Sequence, residues 1–538
     1  MFGMKHPFRK MLSLSLAVVT AASMTMTAYA DEPYKSYNYD NWDDAIPSQC
    51  AYEVDRTLTG QNLQLARLRD PSDPLFISEN ESSSFNDARD LSLDDERDEL
   101  WVADTMNNRI LVFDVEKYEL KACYKSVSGS DVANLKRPYG VFAHTSPSTG
   151  KQTVYICDSE NSRVVKAEVK DNKTLEVIHE YKRPEEALYT ASTYSPRKVC
   201  VDKAENVYVI CNGVNTGSVQ FSKDGKFLSF FGANRVQVTA AVIAQRIWRA
   251  IASETQLAGM KRNVPIEYVN FDIDKDGFIY TVTEVDVETD QLKKLNAAGF
   301  NIWNNNRGNT YVFGDVQGEQ WDPVQRTNHH AILTDCDISP DGIISVLDFE
   351  SGRVFQYDKE CNLICIFGTK NATSEQRGTM KNPNAIETRG DKVYLLDGAK
   401  NDITVYTETQ FGHYLKKAFK KYDEGLYVEA KEDWNQVIRR DGCYTMAYIG
   451  LGKAALKEEQ YSKALKYFKT AYDQDDYDKA YKYAREAFLR EHFTAIIVIV
   501  VLLIVLVKVK GILNKKGIYL IKRKKKKTGL RPVTEREE

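Results

Sequence analysis

Four aspartates recur in this chain in one repeated setting: Asp104 in LWVADTMNNRILVFD, Asp158 in VYICDSENSRVVKAE, Asp348 in ISVLDFESGRVFQYD and Asp397 in VYLLDGAKNDITVYT. Carboxylates gathered at one depth of a fold can hold a divalent cation or take part in acid–base chemistry. Three of the four are followed five residues later by an arginine: Arg109, Arg163 and Arg353. An acid and an arginine at the two ends of a tight turn pair with each other, which makes the pair a brace for its own hairpin. Asp104/Arg109, Asp158/Arg163 and Asp348/Arg353 are therefore read as structural turns.

Other chemistry-bearing residues resolve in the same way. Asp272, Asp274, Asp276 and Gly277 in FDIDKDGFIYTVTE resemble a calcium loop, but the twelfth position, where a bidentate Glu is needed, is Thr283. The matching DISPDGIIS makes Asp276-Gly277 and Asp341-Gly342 turns between strands. His329 and His330 share one loop and are the histidines best placed for chemistry, while His144 falls at a strand turn. Nine cysteines show no CxxC pair or zinc-like Cys/His spacing, and most sit inside apolar strands as small hydrophobes. No nucleophile–base pair and no metal cluster emerges, so the expectation is no catalytic residue, metal or cofactor.

The hairpin around Asp104 recurs from Val154, Val207, Ile279, Ile344 and Val393, giving six units. Each has room for a further strand on either side. Repetition of a strand pair at this spacing predicts radially arranged four-stranded blades, a mainly β fold with a six-bladed β-propeller over residues 31–412. The sixth unit runs into helical sequence before a fourth strand, and AYEVDRTLTG at 51–60 has an outer-strand pattern, so it is expected to close blade six. Strand counting puts the Asp/Arg turns and the loops between blades on one face, called the top.

The Asp-x-x-x-x-Arg turns resemble the NHL-repeat family of propellers over most of Phe85 to Phe411. The resemblance implies the fold; propellers carry both binding and enzymatic functions. Copies three and four depart from it, with Cys211 and Thr283 at the acid position and Ser218 near the arginine position. Two long top loops follow there. A helical insertion at 233–264 sets Ile243, Ile247, Trp248 and Ile251 on one face, and a second loop carries Trp321, His329 and His330. These residues form the candidate top-face interaction surface.

Beyond residue 412 the period changes. Gly425, Tyr427, Ala430 and Trp434 recur 34 residues later as Glu459, Tyr461, Ala464 and Phe468, with Tyr448 and Gly452 ahead of the second set. This resembles the tetratricopeptide repeat and predicts a TPR-like helical unit over 413–493, in which small residues let helices approach and aromatics fill the seam. TAIIVIVVLLIVLV from Thr494 opens a membrane-spanning helix over 494–513, followed by a basic tail over 514–538. Residues 508–538 carry +9 and the first thirty +3, leaving −15 for the body of a chain whose net charge is −3. An acidic body repels nucleic acid, and basic residues beside a span stay on the cytoplasmic side. A basic start, an apolar run and Ala28-Tyr29-Ala30 predict a cleaved signal peptide over 1–30. The body is then extracytoplasmic, on a single-pass cell-membrane protein.

The architecture, with phrases such as DIDKDGFIYTVT, resembles exported bacterial proteins encoded beside sugar-type ABC transporters. The resemblance implies a non-catalytic scaffold that binds protein partners, transporter components among them. Two other readings stand beside it. One is a gluconolactonase-like metal-dependent hydrolase or lyase, with Asp104, Asp158, Asp348 and Asp397 offered to the channel; the other is a cell-surface protein that binds glycan or wall polymer.

Overall fold

Each repeat folds as its alternation of apolar and polar residues dictates, with β-branched and aromatic side chains on both faces of a short strand. The computed structural model describes residues 32–40, 42–146, 149–232, 267–283, 291–303, 311–315, 320–322, 327–329 and 331–516. The expected signal peptide, the whole insertion with Ile243, Ile247, Trp248 and Ile251, His330 and most of the basic tail lie outside the described residues. Trp321 and His329 fall in a two-stranded hairpin, Gln320–Asp322 with Thr327–His329.

Blade one is Asp90–Asp94, Glu99–Asp104, Arg109–Asp114 and Leu120–Tyr124, paired antiparallel in that order. Blade three, from Pro196–Val201, and blade five, from Leu333–Ile338, repeat the pattern; blade two, from Pro138–Thr145, repeats it and adds Val127–Ser128 in parallel to its outer strand Leu175–Lys182. Blade four, from Asn270–Ile273, shows three strands among the described residues. Blade six runs Pro383–Arg389, Lys392–Asp397 and Asp402–Glu408, and its fourth strand is Tyr52–Leu58. The innermost strands touch in sequence and the sixth touches the first, so six blades close a ring.

Apolar side chains fill the wedges between blades rather than a single centre. Trp101, Ile110 and Val112 of blade one pack with Val141, Val154 and Ile156 of blade two, and the same arrangement recurs around the ring. At the closure, Leu58 joins Leu100, Val102, Leu396 and Ile403. Asp276-Gly277 is a turn: Gly277 has φ 87° and its N–H donates to the Asp274 carbonyl at 2.9 Å.

The chain divides into two compact units, one ending at Ala447 and the other starting at Tyr448. In the first, helix α1 (Gln410–Asp423) is capped by Thr409, whose hydroxyl accepts the Gly412 N–H at 3.1 Å, and α2 (Lys431–Arg440) packs back on it. Ala430 and Trp434 are buried there beside Phe419. Helix α3 (Thr445–Lys457) crosses the division. The second unit packs α4 (Tyr461–Thr470) against α5 (Gln474–Lys515). Ala464 and Phe468, 34 residues after Ala430 and Trp434, are also buried. Gly425 and Glu459, likewise 34 apart, both take left-handed φ, at 74° and 58°. Tyr427, Tyr448 and Tyr461 are half-buried, and Gly452 lies under the Phe468 ring. Helix α5 is 42 residues long and continues unbroken through Thr494; its side chains from Ile497 to Val507 are exposed. It is long and apolar enough to cross a bilayer.

Candidate functional site in the central channel

The repeated aspartates do not face the channel. Asp104 Oδ1 accepts the Asn86 N–H at 2.8 Å, Asp158 Oδ1 accepts Lys136 N–H at 2.7 Å, and Asp348 Oδ1 accepts Ile332 N–H at 2.8 Å. Asp397 accepts Lys381 N–H at 2.5 Å and Asn382 N–H at 3.1 Å. In each case the donor lies in the loop that enters the same blade, so the carboxylate fixes that loop to its hairpin. Their offer to a channel metal is corrected accordingly: their lone pairs are already engaged at the rim.

Two arginines complete this clamp. Arg109 Nε donates to Asp104 at 2.7 Å, and its other nitrogens reach the carbonyls of Ser82 and Ser84 at 2.8 and 2.9 Å and Glu81 at 3.1 Å. Arg163 bonds Asp158 at 2.9 Å and the Val132 carbonyl at 2.7 Å. Arg353 departs from the expected pairing. Its Nη1 meets Asp315 at 3.1 Å and the Tyr37 hydroxyl at 2.9 Å, and Asp348 Oδ2 instead accepts the Ser351 hydroxyl at 2.5 Å. The backbone turn is the same, since Asp348 N–H donates to the Arg353 carbonyl at 2.9 Å and Gly352 is left-handed at φ 64° as Asn108 and Ser162 are at 52° and 53°. The difference lies in the side chain, which Asp315 and Tyr37 take. At the departing positions, Cys211 is buried and Ser218 Oγ reaches the Phe231 carbonyl at 3.4 Å.

The channel carries a different set of charges, contributed by the innermost strands. Each such strand is a sheet edge with unpaired N–H groups, and side chains of the preceding blade reach across to accept them. Asp90 Oδ2 accepts Val141 N–H at 2.8 Å, Ser92 Oγ accepts Ala143 N–H at 3.1 Å, and Asp94 Oδ2 accepts the Thr145 hydroxyl at 2.5 Å. Asp335 Oδ2 accepts Ile386 N–H at 2.8 Å, and Asp272 Oδ2 accepts Ile338 N–H at 2.8 Å.

A lysine spans these seams. Lys198 of blade three is buried, donates to Asp90 of blade one, and lies 4.0 Å from Asp335 of blade five. Asp335 also accepts Asn270 Nδ2 from blade four. One polar network therefore links Val141, Asp90, Lys198, Asn270, Asp335 and Ile386, one residue from each of six blades. Asp272 and Asp337, two residues on from Asn270 and Asp335, and Glu387, next to Ile386, form a second tier around a cavity of about 210 Å³.

Electrostatics follow from burial. Burial pushes the Asp335 carboxyl up to about 7 against the pull of Lys198, and Asp272 up to about 6. Burial also raises Asp337 and Glu387 well above the ordinary carboxylate range, with neighbouring acids adding to the effect. Desolvation opposes the charge on Lys198, but Asp335 and Asp90 outweigh it and keep the ammonium charged. The arrangement can hold protonated carboxyls near neutral pH, offering both hydrogen-bond donors and acceptors to a small polar molecule. No group of acids, histidines and cysteines suited to a metal ion occurs among the described residues. Nor does any disulfide join the nine cysteines, all of which are free.

The sequence carries a signal for this site that the hairpin repeats mask. DLSLD places three polar side chains, and NFDI and TDCDI two each, at alternate positions of a first strand, where a purely structural inner strand needs apolar ones.

No family model matches the chain, and no curated protein matches it. Among solved structures, it is similar to a catalytically inactive virginiamycin B lyase from Staphylococcus aureus with quinupristin, at 10% identity over 60% of this chain and 80% of that chain, TM-score 0.34. A luciferin-regenerating enzyme is 11% identical over 61% of this chain and 92% of its own, TM-score 0.37. A Kuenenia stuttgartiensis hydrazine synthase is 12% identical over 60% and 84%, TM-score 0.34. None of the three carries an argument about what this chain does.

Proposed function

We propose that this protein is a membrane-anchored extracytoplasmic scaffold that binds protein partners, with components of a carbohydrate ABC transporter as the partner class. The observation that carries the reading is α5, whose apolar side chains from Ile497 to Val507 are all exposed on a helix too long for its own unit. Such a surface is unstable in water and is satisfied by lipid. Supporting it, the repeated acids and arginines at the rim are engaged in holding loops, which leaves the turns a structural part. The signal-peptide pattern at 1–30 and the basic residues after Val507 support a body outside the cell and a tail in the cytoplasm. The 34-residue recurrence supports a TPR-like interaction unit, and the docking surface we propose comprises the insertion residues Ile243, Ile247, Trp248 and Ile251 together with Trp321, His329 and His330.

The experiment is crosslinking and affinity recovery from native membranes, comparing the full chain with one lacking residues 236–260. Transporter subunits recovered with the full chain and lost with the deletion support the reading; equal recovery from both removes the insertion from it. Orientation is read separately from Cys443, which is exposed. A membrane-impermeant maleimide labels it in intact cells if the body is outside and only after permeabilisation if it is inside.

The channel favours a second reading, a hydrolase or lyase in which Asp335 or Asp337, held protonated, acts as general acid. Turnover of lactones or glycans by the purified protein, abolished by Asp337→Asn, supports that reading; absence of turnover leaves the channel a structural and binding element.

A further inference from the structure

The second tier of the channel joins three neighbouring blades through carboxyls. Asp272 of blade four accepts Ile338 N–H of blade five at 2.8 Å, and Asp337 of blade five accepts the Thr388 hydroxyl of blade six. Glu387 of blade six lines the same cavity as Asp337 and Asp272. The other charged and titratable groups facing the tier are Lys198, Asp90 and Asp335 above it, Asp274 on the blade-four strand turn, the Cys200 and Cys336 thiols, and Asp95 at the cavity wall. Lys198 is already held between Asp90 and Asp335. The three carboxyls of this tier thus have no nearer cation among the described residues.

Like charges in one small cavity repel each other, and partial burial penalises each one further. A neutral carboxyl avoids both penalties and keeps the seam bonds, because its carbonyl oxygen still accepts an N–H while its O–H can donate to the neighbouring carboxyl. We propose that Asp272, Asp337 and Glu387 form a proton-operated latch on the seams between blades four, five and six: protonated, they hold the inner strands together; ionised, they push them apart.

The direction of the pH effect follows from linkage. These carboxyls titrate higher in the folded chain than the value of about 4 expected unfolded. Their contribution is therefore complete below about pH 4 and is lost as pH rises through the raised folded values, the lowest of them about 6 at Asp272.

The test is amide hydrogen exchange on the full chain in detergent, at about pH 5.5 and about pH 8, corrected for the intrinsic pH dependence of exchange. The peptides compared are the inner strands Asn270–Ile273, Leu333–Ile338 and Pro383–Arg389 against Asp90–Asp94 and Pro138–Thr145. Protection of the first three is expected to fall by about tenfold or more at the higher pH, the equivalent of one displaced pKa unit, while the last two change little. Asp337→Asn and Glu387→Gln, which conserve shape, should each retain protection at the higher pH. Two results overturn the latch: protection in the wild type that does not depend on pH, or a loss that both variants reproduce in full. Restoration of wild-type protection at the higher pH by millimolar calcium or magnesium also overturns it, because the seam then answers to a metal cation.

Discussion

The Lys198 ammonium lies between Asp90 and Asp335, carboxylates from blades one and five, while Lys198 itself belongs to blade three. A transverse ion bridge of this kind sits where the unpaired edges of six sheets converge and no backbone partner is available. Removing its cation leaves two buried carboxyls unbalanced. Lys198→Met is expected to destabilise the propeller by about 3 kcal/mol near pH 8, at the lower end of the cost of breaking a buried pair. The cost should shrink near pH 5, where Asp90 and Asp335, already raised by burial and raised further without the lysine, bind protons. Thermal unfolding at the two pH values checks this, and an equal cost at both would remove the ionic part of the argument.

The rim clamps are unequal, and the difference is measurable. Arg109 is fully buried and joins Asp104, Glu81 and two carbonyls, whereas the Arg353 side chain is 30% exposed and joins Asp315 and Tyr37. Arg109→Ala is expected to cost about 3–5 kcal/mol because it leaves the buried Asp104 carboxylate without its cation, while Glu81 keeps Lys125 at 2.9 Å. Arg353→Ala should cost about 1 kcal/mol, since solvent already screens its pair. Denaturant titration of the two variants ranks them; comparable losses would mean that the Asp315 contact matters as much as the Asp104 brace.

Ring closure rests on Tyr52–Leu58. Tyr52 is buried and stacks on Phe367 of blade five at 4.3 Å between ring centroids, while its strand pairs with Ile403 to Glu408. Tyr52→Ala should destabilise by about 3 kcal/mol through the cavity left behind. Deleting residues 51–60 should do more than add to that loss, because it bares the edge of blade six to other molecules. Size-exclusion chromatography distinguishes the two: the point variant elutes as wild type, and the deletion forms aggregates.

The hairpins were readable because each repeats the same two apolar runs about a polar turn, and the apolar helix because fourteen uncharged residues from Thr494 have few other uses. AYEVDRTLTG carries the outer-strand alternation, and Tyr52–Leu58 occupies the outer position of blade six. The channel was not readable in the same way. Asp90, Lys198, Asp335 and Glu387 come from four blades; Asp90 and Asp335 share an alternating polar pattern, Lys198 and Glu387 do not, and only three-dimensional convergence brings the four together. The repeated Asp/Arg turns drew attention to the rim, since periodicity reports what the blades share and the channel depends on where they differ. Arg353 shows the same limit on a small scale: its spacing from Asp348 and its backbone turn match the others, but a partner 38 residues away takes the guanidinium.

The helical unit offers a test in which two effects of known size oppose each other. Gly452 lies within α3, where an alanine would ordinarily add about 1 kcal/mol of helix stability. A Cβ at this position would meet Phe468 Cε1 at 2.5 Å, with two further ring carbons at 2.8 Å. Phe468 is fully buried against Ala464 and its neighbours, so the ring has little room to withdraw. Overpacking of this kind costs about 1–3 kcal/mol, which exceeds the helical gain. Gly452→Ala is therefore expected to lower the unfolding midpoint of the helical unit, and Gly452→Ala with Phe468→Leu to recover part of it. A single variant more stable than wild type would show that α3 and α4 can separate by the few tenths of an ångström that a methyl group requires, and that the small-residue seam is not what holds them.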